Sequence, residues 1–130
     1  MTKTILIVED DPRNLTLFRD VLQVSGYKTI EATDGKQGIE SARKEKPDLI
    51  LMDIQIPEID GMEATRMLKA DAVTSSIPVI ALTSYAMKGD KERFLAVGMN
   101  DYISKPIKID EFSTIIQKYG SSRPPEGPQT

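Results

Sequence analysis

The 130-residue chain contains no cysteine, no histidine and no tryptophan. Without cysteine there is no disulfide, no thiolate metal site and no thiol nucleophile. Without histidine the chain lacks the commonest general base, most zinc chemistry and any Ser/His/Asp triad. Aromatic residues are sparse, with three Phe and four Tyr, and 17 basic residues face 20 acidic ones for a net charge of −3. A nucleic-acid binder would show a basic face and stacking platforms, so no nucleic-acid partner is expected. No apolar run approaches the roughly 20 residues that a bilayer span requires, so no membrane is expected either. Residues 1–4 lead directly into an apolar run, with neither the cleavage site nor the flanks of a signal peptide. The expected location is cytoplasmic. What remains is the chemistry of carboxylates, hydroxyls, lysines and hard metal ions. The 39% apolar content supports an ordinary core, and the length suggests one domain.

Short β-branched apolar runs alternate with stretches of helical period. Ile5-Leu6-Ile7-Val8 reads as a strand buried on both faces. Asp11-Pro12 resembles an N-cap followed by proline at the first helical position. Leu15, Phe18, Val21 and Leu22 then recur at helical spacing until Ser25-Gly26. Tyr27 to Ala32 is a second, half-apolar strand. Asp34 opens a helix with Gln37 placed to reach back as in a capping box, and Lys46-Pro47 closes it. Asp48 to Asp53 contains the most strongly buried-looking strand. After a turn-rich loop with Asp60-Gly61, Met62 to Lys69 is expected to be helical, with Ala64, Met67 and Leu68 on one side. Pro78 to Leu82 is a fourth strand, Lys88 to Val97 a helix and Tyr102-Ile103 a short fifth strand. Phe112, Ile115, Ile116 and Tyr119 give an amphipathic last helix. Five β–α units in a row imply an α/β fold. Its five-stranded parallel sheet, in the doubly wound, flavodoxin-like order 2-1-3-4-5, has helices on both faces. Residues 1–120 form the expected domain. The three prolines, two glycines and two serines within Gly120–Thr130 read as a flexible tail.

In such a sheet the carboxyl ends of the strands share one edge, where ligands bind. The first strand delivers Glu9 and Asp10, followed by Asp11. The third delivers Asp53, the fourth Thr83 and Ser84, and the fifth Ser104 and Lys105 before Pro106. Taken singly, each has an ordinary structural explanation. Asp11 and Asp60 serve equally well as helix N-caps, Thr83 as an ST-turn and Lys105-Pro106 as a plain turn. Taken jointly, four strands end in chemically complementary groups. Carboxylates at about 4 Å repel by roughly 4 kcal/mol per pair at an effective dielectric near 20. Lys105 alone does not neutralise Glu9, Asp10 and Asp53. A hard cation would, and magnesium fits a site with few protein oxygens better than calcium does. A carboxylate nucleophile, an ammonium, a hydroxyl and a metal make a phosphoryl-transfer site.

The segments Ile5–Asp10, Pro47–Pro57, Asp60-Gly61, Ile77–Thr83 and Tyr102–Pro106 resemble a response-regulator receiver domain of two-component signalling, within the CheY-like superfamily. The resemblance covers about residues 3 to 119. Ala86–Asp90 and Tyr102–Pro106 are most similar to single-domain regulators of the DivK type and to receivers of hybrid histidine kinases. The resemblance implies that Asp53 accepts the phosphoryl group. It implies that Asp10, Asp53 and the backbone carbonyl of Gln55 bind Mg2+, with Glu9 acting through water. Lys105 would pair with the phosphoryl group, ahead of a cis peptide at Pro106. Thr83 would swing onto a phosphoryl oxygen and Tyr102 would turn inward behind it. That would remodel the face made by the fourth helix, fifth strand and fifth helix for a downstream protein. Gln55 and Tyr85 sit where the family tunes dephosphorylation, and a bulky Tyr85 is expected to prolong the phosphorylated state.

The expected partner is a sensor histidine kinase or a histidine phosphotransfer protein, since the chain has no histidine of its own. The chain is expected to be a signalling phosphoacceptor rather than an enzyme, with self-catalysed phosphotransfer and autodephosphorylation only. It would be a monomer or a phosphorylation-dependent dimer. A stand-alone regulator is expected from the Met1 start and from a tail without an output domain. The alternative is a receiver excised from a larger regulator or hybrid kinase. A more distant alternative, an aspartate-dependent phosphatase of the haloacid-dehalogenase type, requires an acid two residues after the nucleophile, where this chain has Gln55.

Overall fold

The computed structural model describes residues 3–84 and 90–120. Its strands are β1 (Thr4–Val8), β2 (Lys28–Ala32), β3 (Leu49–Asp53), β4 (Val79–Thr83) and β5 (Asp101–Ser104). Its helices are α1 (Pro12–Val24), α2 (Gly35–Glu45), α3 (Gly61–Ala70), α4 (Asp90–Ala96) and α5 (Ile109–Gly120). The strands form one parallel sheet in the order β2-β1-β3-β4-β5, as the alternating pattern requires. Every residue of β3 and β4 is buried, because helices cover both faces of a parallel sheet.

Two cores result, one on each face. Phe18 and Leu22 of α1 and Phe112 and Ile116 of α5 pack on one side, with Phe18 and Phe112 stacked at 5.4 Å. Ala42 of α2, Ala64 and Leu68 of α3, and Phe94 of α4 pack on the other.

Asp11, Asp34 and Asp60 cap α1, α2 and α3, accepting from the backbone N–H of Arg13, Gln37 and Glu63 respectively. Each cap satisfies an amide that the helix itself leaves without a partner. The Gln37 side chain does not close a capping box. Its Oε1 accepts from the Thr33 N–H at 3.2 Å, one residue further back than Asp34. Helix α1 ends at Ser25, where Gly26 takes φ 97°, a left-handed conformation that glycine adopts without strain.

Several expected boundaries move. The second strand begins at Lys28 rather than Tyr27, and the fifth runs from Asp101 to Ser104 rather than over two residues. The third helix gains a residue at each end. Its inner face is Ala64, Thr65 and Leu68, while Met67 is 42% exposed. The buried Thr65 is tolerated because its hydroxyl donates to the Gly61 carbonyl at 2.8 Å, one turn back. Tyr85, the Ala86–Gly89 part of the DivK-type motif with the expected helix start at Lys88, and the tail Ser121–Thr130 lie outside the described residues.

Candidate functional site

Strand register assembles the site. Val8 pairs with Met52, so the next residues, Glu9 and Asp53, emerge side by side. Asp53 pairs with Leu82, placing Thr83 one step beyond it, and Thr83 pairs with Ser104. Lys105 then follows Ser104 on the edge strand. Each polar group appears where an apolar run ends, because the strands stop being covered by helices at that edge.

Asp53 is buried at 4% exposure, and both carboxylate oxygens are engaged. Oδ1 accepts from the Gln55 N–H at 2.9 Å, and Oδ2 accepts from Lys105 Nζ at 2.8 Å. Glu9 is more deeply buried, at 1% exposure. Its Oε2 accepts from the Asp11 N–H at 3.2 Å. Its Oε1 lies 3.0 Å from Lys105 Nζ, within ion-pair distance. Lys105 therefore bridges two buried acids with one charge. The Lys105–Pro106 peptide is cis.

The electrostatics follow from this imbalance. Burial, reinforced by the neighbouring Asp53 carboxylate, pushes Glu9 up to about 7 from 4.5. Burial by itself would lower Lys105, but the hydrogen bonds and charges of Asp53 and Glu9 outweigh it and hold the ammonium above its ordinary range.

Asp10 differs from its neighbours in being exposed. Of the three acids expected together at this edge, two are buried and the third faces solvent, which screens it. A carboxylate oxygen from each of Glu9, Asp10 and Asp53 nevertheless lies within 4.8 Å of the others. Two buried acids sharing one ammonium, in an acid cluster open on one side, fit a hard divalent cation that keeps part of its water shell. Carboxylates without thiolates or imidazoles select such an ion over zinc.

Thr83 is buried at the end of β4, and its carbonyl accepts from the Lys105 N–H at 2.7 Å. Tyr102 is half-buried against the α2–α4 core, its ring 5.9 Å from Phe94. The Gln55 side chain is exposed. Two contributors went unread in the sequence, namely the backbone N–H groups of Asp11 and Gln55 that hold the two buried carboxylates. Backbone donors have no side-chain signature, so no sequence signal marks them.

The family model of the response regulator receiver domain matches residues 5–117. The chain is a response regulator receiver domain. The receiver is 50% identical over 119 residues to the polar-differentiation response regulator DivK of Brucella ovis, spanning 92% of this chain and 97% of that one. The receiver domain of the sensor histidine kinase PA1611 from Pseudomonas aeruginosa is 41% identical, with TM-score 0.86 over 94% of this chain and all of that one. That structure holds a magnesium ion coordinated in its active-site cleft. The receiver domain of a histidine kinase from Syntrophus aciditrophicus is 32% identical, with TM-score 0.86 over 99% of this chain and 98% of that one. Among the described residues, no helix is long and apolar enough to cross a membrane.

Proposed function

We propose that this receiver takes a phosphoryl group onto Asp53 from a phosphohistidine on a sensor kinase or histidine phosphotransfer protein in the cytoplasm. The observation that carries the reading is the setting of Asp53. It is a buried carboxylate that accepts from the Lys105 ammonium at 2.8 Å and from a backbone N–H at 2.9 Å, with Glu9 and Asp10 beside it.

An Asp53 oxygen attacks phosphorus and a P–O bond forms. The P–N bond of the donor breaks, and the imidazole leaves with its electron pair. Lys105 keeps its proton and offers positive charge to the phosphoryl oxygens as they turn toward Asp53. Asp10, Asp53 and the Gln55 backbone carbonyl would hold Mg2+ directly, and Glu9 through water. When bound, the ion supplies positive charge to the transferring group. The buried Glu9 carboxylate would give that water an acceptor.

The acyl phosphate carries about −1.5 to −2 charges and places three acceptor oxygens beside Thr83. The Thr83 hydroxyl turns to donate to one of them, and Tyr102 moves from its half-buried position into the vacated space. The surface of α4, β5 and α5 is thereby repacked and presented to a downstream protein. The phosphatase alternative is disfavoured by Gln55, whose exposed side chain is an amide where that chemistry needs an acid.

Incubation with Mg2+ and acetyl phosphate, read by intact mass, tests the proposal. The expected result is a gain of one phosphoryl group that is lost in Asp53→Asn. No gain at saturating donor would overturn it.

A further inference from the structure

The loop that leaves β3 carries Gln55, and it is held from an unexpected direction. Its start is fixed by the site itself, through the Gln55 N–H on Asp53 and the Ile54 N–H on the Leu82 carbonyl at 3.0 Å. Its end is fixed by Gly61, whose N–H donates to the Ile54 carbonyl at 3.0 Å. Between these points the chain passes through Glu58 at φ 72°, a left-handed conformation that a non-glycine residue keeps only where its surroundings enforce it.

The enforcing contact comes from α2. Gly35 is the first residue of that helix, so its N–H has no partner within the helix. That N–H donates to the Pro57 carbonyl at 3.2 Å. The Gly35 Cα side also faces the loop. A Cβ there would lie well under 3.0 Å from the Ile59 carbonyl oxygen and 3.0 Å from its carbonyl carbon. These are backbone atoms, so no rotamer change can relieve the clash. The φ of Gly35 lies outside the left-handed range, so space rather than backbone freedom is what this position requires.

We infer that Gly35 is a positioning residue of the metal site. By admitting the Ile59 carbonyl and bonding the Pro57 carbonyl, the start of α2 sets the path of the loop that presents the Gln55 carbonyl. The inference rests on the magnesium reading of the site above. Gly38, one turn along the same helix, provides the control. A Cβ at Gly38 would meet the side-chain methyls of the buried Val8 at 2.9 and 3.1 Å, atoms that do not belong to the loop.

The test is a calorimetric Mg2+ titration of the full chain and its Gly35→Ala and Gly38→Ala variants, with acetyl-phosphate rates measured across Mg2+ concentrations. Gly35→Ala is expected to weaken Mg2+ binding by roughly 10-fold, the scale seen for groups that orient metal ligands. Its maximal phosphorylation rate at saturating Mg2+ should stay within about twofold of the parent, because Asp53 and Lys105 are untouched. Gly38→Ala should bind Mg2+ as the parent does. Unchanged Mg2+ affinity in Gly35→Ala, or an equal loss in both variants, would overturn the inference. Absence of Mg2+ binding by the parent would overturn the site reading and this inference with it. A measurement on the unaltered protein guards against a variant that does not fold. Coupling is reciprocal, so Mg2+ should slow hydrogen exchange of the Gly35 amide, and unchanged exchange there would equally overturn the inference.

Discussion

The two faces of the sheet are built from different materials. On the α1 and α5 face the buried residues are large, with stacked Phe18 and Phe112 among leucines and isoleucines and no alanine among the described residues. On the α2–α4 face Ala32, Ala42, Ala64 and Ala81 are interspersed with larger groups, and Gly35, Gly38 and Gly61 are buried as well. Large interlocking side chains give a stiff core in which a lost methylene is felt. Small residues let backbones approach one another, and it is on this side that the loop after β3 meets the start of α2. The half-buried Tyr102 and Phe94 lie here too. The contrast sets a stiff core under α1 and α5 against a face on which backbones approach closely beside the candidate site.

Four substitutions test that division, beginning with the largest expected effect. Phe112→Ala removes half of the aromatic stack and should cost about 3–5 kcal/mol in urea unfolding. Phosphorylation of its folded fraction should persist, and loss of phosphotransfer in fully folded Phe112→Ala would break the division. Next, Lys105→Met should slow phosphorylation by acetyl phosphate roughly 10²–10³-fold, as removal of one charge-stabilising donor does elsewhere. A rate within tenfold of the parent would show that Lys105 is structural.

Glu9 sharpens the contrast through pH. Its carboxyl titrates near 4.5 in the unfolded chain and at about 7 in the fold, so the folded state binds the extra proton. The stability it contributes is fully present below pH 4.5 and is lost as pH rises to about 7, by on the order of 3 kcal/mol. Urea unfolding in EDTA should therefore show stability falling over that window, and Glu9→Gln should flatten the slope. A slope that survives in Glu9→Gln would place its origin elsewhere. The smallest effect belongs to Tyr119→Phe. The Tyr119 hydroxyl lies 3.1 Å from both Asp101 Oδ2 and the Asn100 carbonyl oxygen, which share its one proton. Its removal should cost about 1 kcal/mol in thermal unfolding and leave phosphorylation unchanged.

Much of the site could be read in the sequence, for a physical reason. A strand covered on both faces must be apolar, so a polar group at its carboxyl end marks the open edge. Glu9, Asp53, Thr83 and Lys105 all stand in that position. The helix caps at Asp11, Asp34 and Asp60 were legible for a similar reason, since capping is a local interaction. The α3 face was less so. Helical spacing admits both Met67 and Thr65 near the buried stripe, and only packing against β3 and α2 decides between them. The exposure of Asp10 depends on how the chain turns after β1. The role of Gly35 was not legible, because its contacts are with residues more than twenty positions away. A glycine at the start of a helix also has an ordinary local explanation.

The most direct test of the account is a proton–nitrogen correlation spectrum of the receiver with Mg2+, recorded before and after phosphorylation by acetyl phosphate. The predicted result is large shifts at Gln55, Thr83 and Tyr102 and along α4 and α5, with the amides of Phe18 and Leu22 in α1 nearly unmoved. Shifts of equal size in α1, or a spectrum that does not change at all, would contradict the account.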